Sequence, residues 1–410
     1  MDFALPNTIF YLNSGSSNST SFLTWGSSQE LVVNWDDASA MQRLRNFTAP
    51  PPNWIFGYIS YDLKNSIENL SSKNLDRLQA PLVHFVKTEF VVKIVSDEIQ
   101  VLAGNETVAR EFTQKFLIKS KQTSGLSAGI ELVPRISKPE YVTVMNQLKQ
   151  HIHHGDIYEV NYCQEFFADE KISDPLSVYS KLNSLANAPM SSFVRLNNLY
   201  IISASPERFL KREGNRVLSQ PIKGTAPRGS NDEEDQRLRE GLFNSQKERS
   251  ENVMITDLVR NDLSRIAKKG SVNVDELMGI SSFKTVHQMI STVSCEVDSK
   301  TSFADILAAT FPMGSMTGAP KIRAMQLIDE FEKTSRGIYS GCIGYIAPEG
   351  DLATGHADFD FNVVIRSILY RDDVPYISAS VGSAITALSD AEMEYEECLL
   401  KLQALQQALL

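Results

Sequence analysis

The order in which strand-like and helix-like stretches follow one another constrains this chain most. Strand signals come in runs. Residues 90–95 and 99–102 are apolar stretches on either side of Asp97 and Glu98, a pattern that predicts a hairpin. Further strand-like stretches lie at 159–167, 192–203, 208–211, 271–274 and 285–297, and a series of them runs from 341 to 386. Helices are predicted over 106–119, 139–153, 232–242, 246–267 and 318–333, and from 390 onward. There is no strict strand-helix-strand alternation and no repeat of fixed period. The pattern predicts an α+β fold with large antiparallel β-sheets flanked by helices. The polar segment 122–129 is the best internal boundary. It divides a sheet-rich N-terminal part of the same fold, 1–130, from a core at 131–410.

Composition narrows the functions open to such a fold. The chain has 410 residues, 42% hydrophobic and 22% charged, the balance of a folded globular protein. Its net charge of −10 gives no general attraction for nucleic acid or anionic lipid, and no local basic patch offsets it. No apolar run approaches the roughly 18 residues needed to cross a bilayer. The N-terminus lacks a basic segment ahead of an apolar one. The expectation is a cytoplasmic protein with neither nucleic acid nor membrane as partner. Cys163, Cys295, Cys342 and Cys398 lie far apart with no CxxC pair, which argues against a zinc knuckle or a disulfide framework. His151, His153 and His154 precede Gly155 and read as a solvated helix end.

Three local patterns could carry chemistry. Glu248 and Glu251 on one predicted helix, and Glu394 and Glu397 on another, are each three residues apart and so share a helix face. Two such faces opposed would suit Mg²⁺, which commonly takes one or two direct carboxylates and keeps several waters. Taken alone, such pairs are more often solvated surface. Lys223 sits between apolar and small neighbours in Pro221-Ile222-Lys223-Gly224-Thr225. A lysine attacks only when burial or a neighbouring cation lowers its pKa; otherwise it is an ordinary surface residue beside a turn. The run Gly314-Ser315-Met316-Thr317-Gly318-Ala319-Pro320-Lys321 could cradle an anion at a helix start, but it lacks the Gly-Lys-Ser/Thr order of a P-loop.

Together these patterns resemble one family. Gly155-Asp156-Ile157-Tyr158-Glu159-Val160-Asn161, Ser205-Pro206-Glu207-Arg208-Phe209, the Lys223 run, Asp257-Leu258-Val259-Arg260-Asn261-Asp262-Leu263, Phe311-Pro312 through Pro320-Lys321, and Glu394-Tyr395-Glu396-Glu397 occur in the order found in the chorismate-utilising enzymes. These include anthranilate synthase component I, aminodeoxychorismate synthase component I, isochorismate synthases and salicylate synthases. The resemblance is dense from 139 to 402 and extends weakly to Gly57-Tyr58-Ile59-Ser60-Tyr61-Asp62-Leu63.

The resemblance implies a role for each position. Glu251 and Glu397 would bind Mg²⁺, with Glu248 and Glu394 holding its waters, and the ion would meet the ring carboxylate of chorismate. Lys401, Arg366, Tyr339 and Gly382 match positions that receive substrate carboxylates, and Ser315, His287, Gly224 and Thr225 match other pocket residues. Glu207 matches the general acid that protonates the departing C4 hydroxyl. Lys223 marks the aminodeoxychorismate synthase component I branch, a transaminase class, where anthranilate synthases carry alanine. In that branch the lysine attacks C2 as the C4 hydroxyl leaves. Ammonia then attacks C4 and expels it, giving 4-amino-4-deoxychorismate for 4-aminobenzoate and folate biosynthesis. Anthranilate synthase component I and a non-catalytic chorismate-binding paralogue are the alternatives. No Gly-x-Cys-x-Gly elbow of an amidotransferase occurs, so a partner glutamine amidotransferase, component II, is expected to supply ammonia. Two positions depart from the family pattern. Glu159 stands where water-adding members carry lysine and amine-transferring members usually carry glutamine, and Ala384 replaces the second glycine of the loop at Gly382.

Overall fold

Two antiparallel sheets dominate the computed structural model, which describes residues 4–14, 20–49, 53–121, 129–348 and 357–410. The 11-stranded sheet runs in the order Gly318–Ala319, Glu159–Ala168, Tyr376–Ile385, Ser367–Arg371, Leu199–Ser205, Met190–Leu196, Thr8–Asn13, Thr20–Trp25, Phe90–Val95 and Glu98–Ala103, with Val133–Pro134 also on Glu159–Ala168. The 10-stranded sheet runs Ile222–Pro227, Val286–Glu296, Arg216–Gln220, Arg208–Glu213, Phe359–Val363, Cys342–Ile346, Ile55–Ile59, Val83–Lys87 and Gln29–Val33, with Asn273–Ser282 also on Val286–Glu296. The fold is α+β, as expected. Strands from the first 130 residues enter both sheets.

The sheets pack face to face. Phe10 and Phe22 of the larger sheet meet Phe56 and Tyr345 of the smaller, with ring centroids 6.0 Å apart for Phe10–Phe56 and 4.7 Å for Phe22–Tyr345. The other face of the larger sheet buries a second core against helices Glu106–Ser120, Lys138–His154, Pro175–Ala186, Lys321–Phe331 and Ala391–Leu409. Strand Glu159–Ala168 lies between these layers, so nearly all ten of its residues are buried. Val160, Tyr162 and Phe166 face the helices, while Cys163 faces the other sheet.

Helix starts follow their capping residues. Ser137 and Glu140 form a reciprocal capping box on Lys138–His154, which ends at Gly155 with φ 83°, so the three histidines do occupy a helix end. Ser245 caps Gln246–Ser264, and Asp390 caps Ala391–Leu409. The predicted hairpin at 90–102 is present and turns at Ser96 and Asp97, both with positive φ.

Three expectations are corrected. The stretch 192–203 is two strands, because Asn197, at φ 55°, turns the chain between Leu196 and Leu199. The helix expected over 318–333 begins only at Lys321; Gly318 and Ala319 pair with Val160 and Glu159 instead. The strand expected over 271–274 is Asn273–Ser282, paired along Val286–Glu296. Helices Ala40–Phe47, Pro175–Ala186 and Phe303–Thr310 add to those expected. The boundary segment 122–129 falls, except for Gly129, outside the described residues. All four cysteines are buried and free. Among the described residues no helix is long and apolar enough to cross a membrane.

Candidate functional site

Lys223 is placed by a local irregularity. Pairing of Ile222–Pro227 with Val286–Glu296 shifts register between Ile222 and Thr225, and Gly224 takes a φ of 90°. A Cβ on Gly224 would stand 3.0 Å from Glu248 Oε2 and 3.1 Å from Leu242 Cδ1, so only glycine lets the neighbouring helices come this close. Lys223 is 8% exposed, and its Nζ lies 2.5 Å from Glu159 Oε1. Burial alone would lower its pKa, as a nucleophile requires. The carboxylates of Glu159, Glu251 and Glu207 outweigh burial, and the net shift is upward. Lys223 is therefore held as an ammonium.

Glu207 stands at the turn between Leu199–Ser205 and Arg208–Glu213. Burial pushes its pKa up to about 7, against the opposing pull of Ser315, Lys223 and the Ile222 amide. Ser315 Oγ donates to Glu207 Oε1 at 2.6 Å. A small cavity of about 10 Å³ adjoins Glu207 and Ser315, also lined by Ser219, Asp262 and Thr310. That is about the room one water needs.

The two glutamate pairs converge from the N-terminal turns of Gln246–Ser264 and Ala391–Leu409. Glu251 and Glu394 are buried, at 6% and 2% exposure. Burial pushes Glu251 up to about 7, with Glu159 and Glu248 adding to it against Lys223 and Lys247. Burial raises Glu248 as well, reinforced by Glu397 and Glu394. Lys247 Nζ lies 3.1 Å from Glu394 Oε1 and 4.0 Å from Glu251 Oε1, and Ser383 Oγ donates to Glu394. Lys401 Nζ lies 2.6 Å from Glu397 Oε1 and donates to Gly382 O at 2.8 Å.

As they stand, no three acidic, histidine or cysteine side chains among the described residues meet closely enough to hold a metal ion. The donor set nonetheless fits a hard divalent cation with retained waters. Glu251 Oε1 is buried without a hydrogen-bond partner among the described residues, and the Lys247 ammonium already supplies positive charge between Glu251 and Glu394.

Near Glu397 and Tyr339 lies the guanidinium of Arg366. Arg366 has a φ of 52°; its carbonyl accepts from the Ala204 amide at 3.0 Å, while its guanidinium makes no hydrogen bond or ion pair among the described residues. Burial pushes its pKa down, with Tyr339 and Glu397 opposing. An unpaired guanidinium on a strained backbone is a costly arrangement that a bound carboxylate would offset. Tyr339 is 3% exposed, and burial holds its pKa well above the ordinary value. Gly382 pairs with Cys163 in the sheet; a Cβ there would lie 2.7 Å from Cys163 Sγ and 3.0 Å from Asn161 Nδ2.

The remaining expected residues stand apart from this cluster or act through another group. Ser315 is committed to Glu207. His287 is fully buried, with Nδ1 2.8 Å from Ser282 Oγ and Nε2 3.0 Å from Asp235 Oδ1, so both ring nitrogens are engaged away from the carboxylates. Thr225 is exposed. In the Gly314–Lys321 run, Lys321 turns inward: its Nζ reaches Asp262 at 2.5 Å and the carbonyls of Thr310 and Pro312 at 3.1 and 2.8 Å.

Two groups escaped the sequence reading. Lys247 is one; its place directly before Glu248 was the only available signal. Arg336 is the other. Its guanidinium, 5% exposed, pairs with Glu332 at 2.6 Å and donates to Asn161 O and Met316 O at 2.7 and 2.5 Å, joining the Glu159 strand to the Ser315 loop.

A family described as chorismate binding enzyme matches residues 9–407. A chloroplastic aminodeoxychorismate synthase of Arabidopsis thaliana is 42% identical over 277 residues, 66% of this chain but 29% of that longer protein. Aminodeoxychorismate synthase component 1 of Klebsiella aerogenes is 35% identical over 347 residues, 83% of this chain and 74% of its own. Anthranilate synthase component 1 of Aquifex aeolicus is 33% identical over 380 residues, 87% of this chain and 74% of its own. The crystal structure of anthranilate synthase component I from Streptococcus pneumoniae superposes with a TM-score of 0.79 at 24% identity, over 94% of this chain and 92% of that one, a likeness of fold.

Proposed function

The chain belongs to the chorismate-binding enzyme family, and from that premise we propose that it aminates chorismate at C4, as an aminodeoxychorismate synthase component I. The observation that carries this reading is Lys223, buried and facing Glu207 across the same site. An acid with a pKa near 7 keeps a proton at neutral pH for the C4 hydroxyl, which leaves only when protonated. A lysine on the ring side could displace it through C2 and later yield to ammonia at C4. Arg366, Tyr339 and Lys401 would orient the substrate carboxylates, with the backbone at Gly382 beside them, where its carbonyl accepts from Lys401 Nζ.

Glu251 and Glu397 would hold Mg²⁺, with Glu248 and Glu394 on its waters. When bound, the ion would neutralise a substrate carboxylate among side chains that are otherwise mostly anionic. Ammonia would come from a separate glutamine amidotransferase. The relative from Aquifex aeolicus favours anthranilate synthase component I as the second reading, and Lys223 speaks against it.

The test supplies the purified chain with chorismate, Mg²⁺ and an ammonium salt. The expected product is 4-amino-4-deoxychorismate, which a lyase converts to 4-aminobenzoate; direct formation of anthranilate would overturn the reading. Glutamine in place of ammonium should give no turnover without a partner amidotransferase.

A further inference from the structure

Glu159 and Lys223 form a private pair. Glu159 is 3% exposed, and its carboxylate makes a single side-chain hydrogen bond among the described residues, to Lys223. The Lys223 ammonium in turn makes no other hydrogen bond or ion pair among the described residues. Acidic groups face the lysine from every packed element: Glu248 and Glu251 from Gln246–Ser264, Glu207 from the turn before Arg208–Glu213, and Glu397 from Ala391–Leu409. None of these is within ion-pair distance of Nζ. Glu207 already holds Ser315 Oγ, and Glu394 and Glu397 hold Lys247 and Lys401.

An ammonium has no lone pair, so a lysine held in this state needs a proton acceptor before it can attack. At 2.5 Å, Glu159 Oε1 is within the distance over which a proton passes between heavy atoms without rearrangement. We propose that Glu159 is the base that takes the proton from Lys223 and so unmasks the attacking amine. This rests on the reading of Lys223 as nucleophile.

The bonds and charges balance. The Nζ–H bond breaks as Oε1–H forms on Glu159. The freed pair makes the bond to C2 of chorismate, and the ring double bonds move from C1=C2 and C5=C6 to C1=C6 and C4=C5. The C4–O bond breaks, and the oxygen leaves as water on the proton of Glu207. When ammonia attacks C4 the shift reverses, and Lys223 leaves as the amine and takes its proton back from Glu159. The new C4 ammonium returns a proton to Glu207.

The test follows adduct formation without ammonia, by rapid quench and intact mass, in wild type, Glu159→Gln, Glu159→Asp and Lys223→Ala between pH 6.5 and 9.5. Transfer inside the pair needs no solvent, so the wild-type rate should vary little between pH 6.5 and 7. Glu159→Gln should form the adduct at least about 100-fold more slowly at pH 7, and the gap to wild type should narrow as pH rises and solvent takes the lysine proton, while both proteins lose the acid form of Glu207. Glu159→Asp, one methylene short, should be slowed several-fold with the wild-type pH dependence, and it serves as the deciding variant if the glutamine form does not fold.

An unchanged rate in Glu159→Gln would overturn the proposal. So would a faster rate, or a slowing equal at every pH. An absence of adduct in wild type would instead refute Lys223 as nucleophile and take this proposal with it, while adduct in wild type but not in Lys223→Ala secures that reading independently of Glu159.

Discussion

Replacing Glu207 by glutamine should make the protein more stable and less active, with both effects set by pH. Burial carries the carboxyl from an ordinary 4.5 to about 7, so the folded state favours its protonated form. A raised carboxyl pKa costs nothing below the unfolded value. The cost grows as pH rises from about 4.5 to about 7 and is complete above that. At about 1.4 kcal/mol per pKa unit, the ionised group destabilises the fold by about 3 kcal/mol at pH 8. Glu207→Gln keeps the shape and the acceptor for Ser315 Oγ and removes the charge.

An unfolding entropy of about 2.1 cal/mol/K per residue, taken over 410 residues, converts that gain to about 4 °C in Tm. The assay is thermal unfolding of both proteins at pH 5 and pH 8. The gain should be near its full size at pH 8 and under about 1 kcal/mol at pH 5. Other buried carboxyls, Asp62 and Glu251 among them, titrate alike in both proteins and cancel. Turnover should fall by about 100-fold or more, and wild-type turnover should decline above about pH 7 as Glu207 loses its proton. Equal midpoints at pH 8, or a gain independent of pH, would refute the reasoning.

Other perturbations separate binding from folding. Glu397→Ala should weaken Mg²⁺ binding by at least about tenfold by calorimetry and remove most Mg²⁺-dependent turnover; unaltered affinity would rule out the ligand assignment. Arg366→Met should raise KM for chorismate by about tenfold or more while leaving Tm unlowered, because burial disfavours the guanidinium more than its neighbours Tyr339 and Glu397 favour it. Arg336→Met should cost about 3–5 kcal/mol in unfolding measurements, since Glu332 is left buried without its cation, and Glu332→Gln in the same chain should restore part of it.

What the sequence reveals here is what helical periodicity and local motif carry. The spacing of Glu248 with Glu251, and of Glu394 with Glu397, was enough to place each pair on one helix face. Convergence of the two faces was not legible, because it depends on how far apart the sheets hold the two helices. The pairing of Glu159 with Lys223 was hidden for a similar reason: the two residues belong to different sheets and meet only across the packed interface. The doublet Asn197-Asn198 was lost inside a run of strand formers, although asparagine tolerates the left-handed turn found there. The motif around Lys321 suggested an anion site from composition, while the structure turns the ammonium inward to Asp262. Ser315 belonged to a legible motif, but its role as the donor to Glu207 needed coordinates.

The central claim is that one buried lysine bonds to the substrate ring. The most direct test incubates the purified chain with chorismate and Mg²⁺, without ammonia, and maps the modified peptide by mass spectrometry. The account predicts a chorismate-derived adduct, less one water, on Lys223, absent from Lys223→Ala and discharged by added ammonium. An adduct that persists in Lys223→Ala, or amination at C4 with full turnover in that variant, would contradict it.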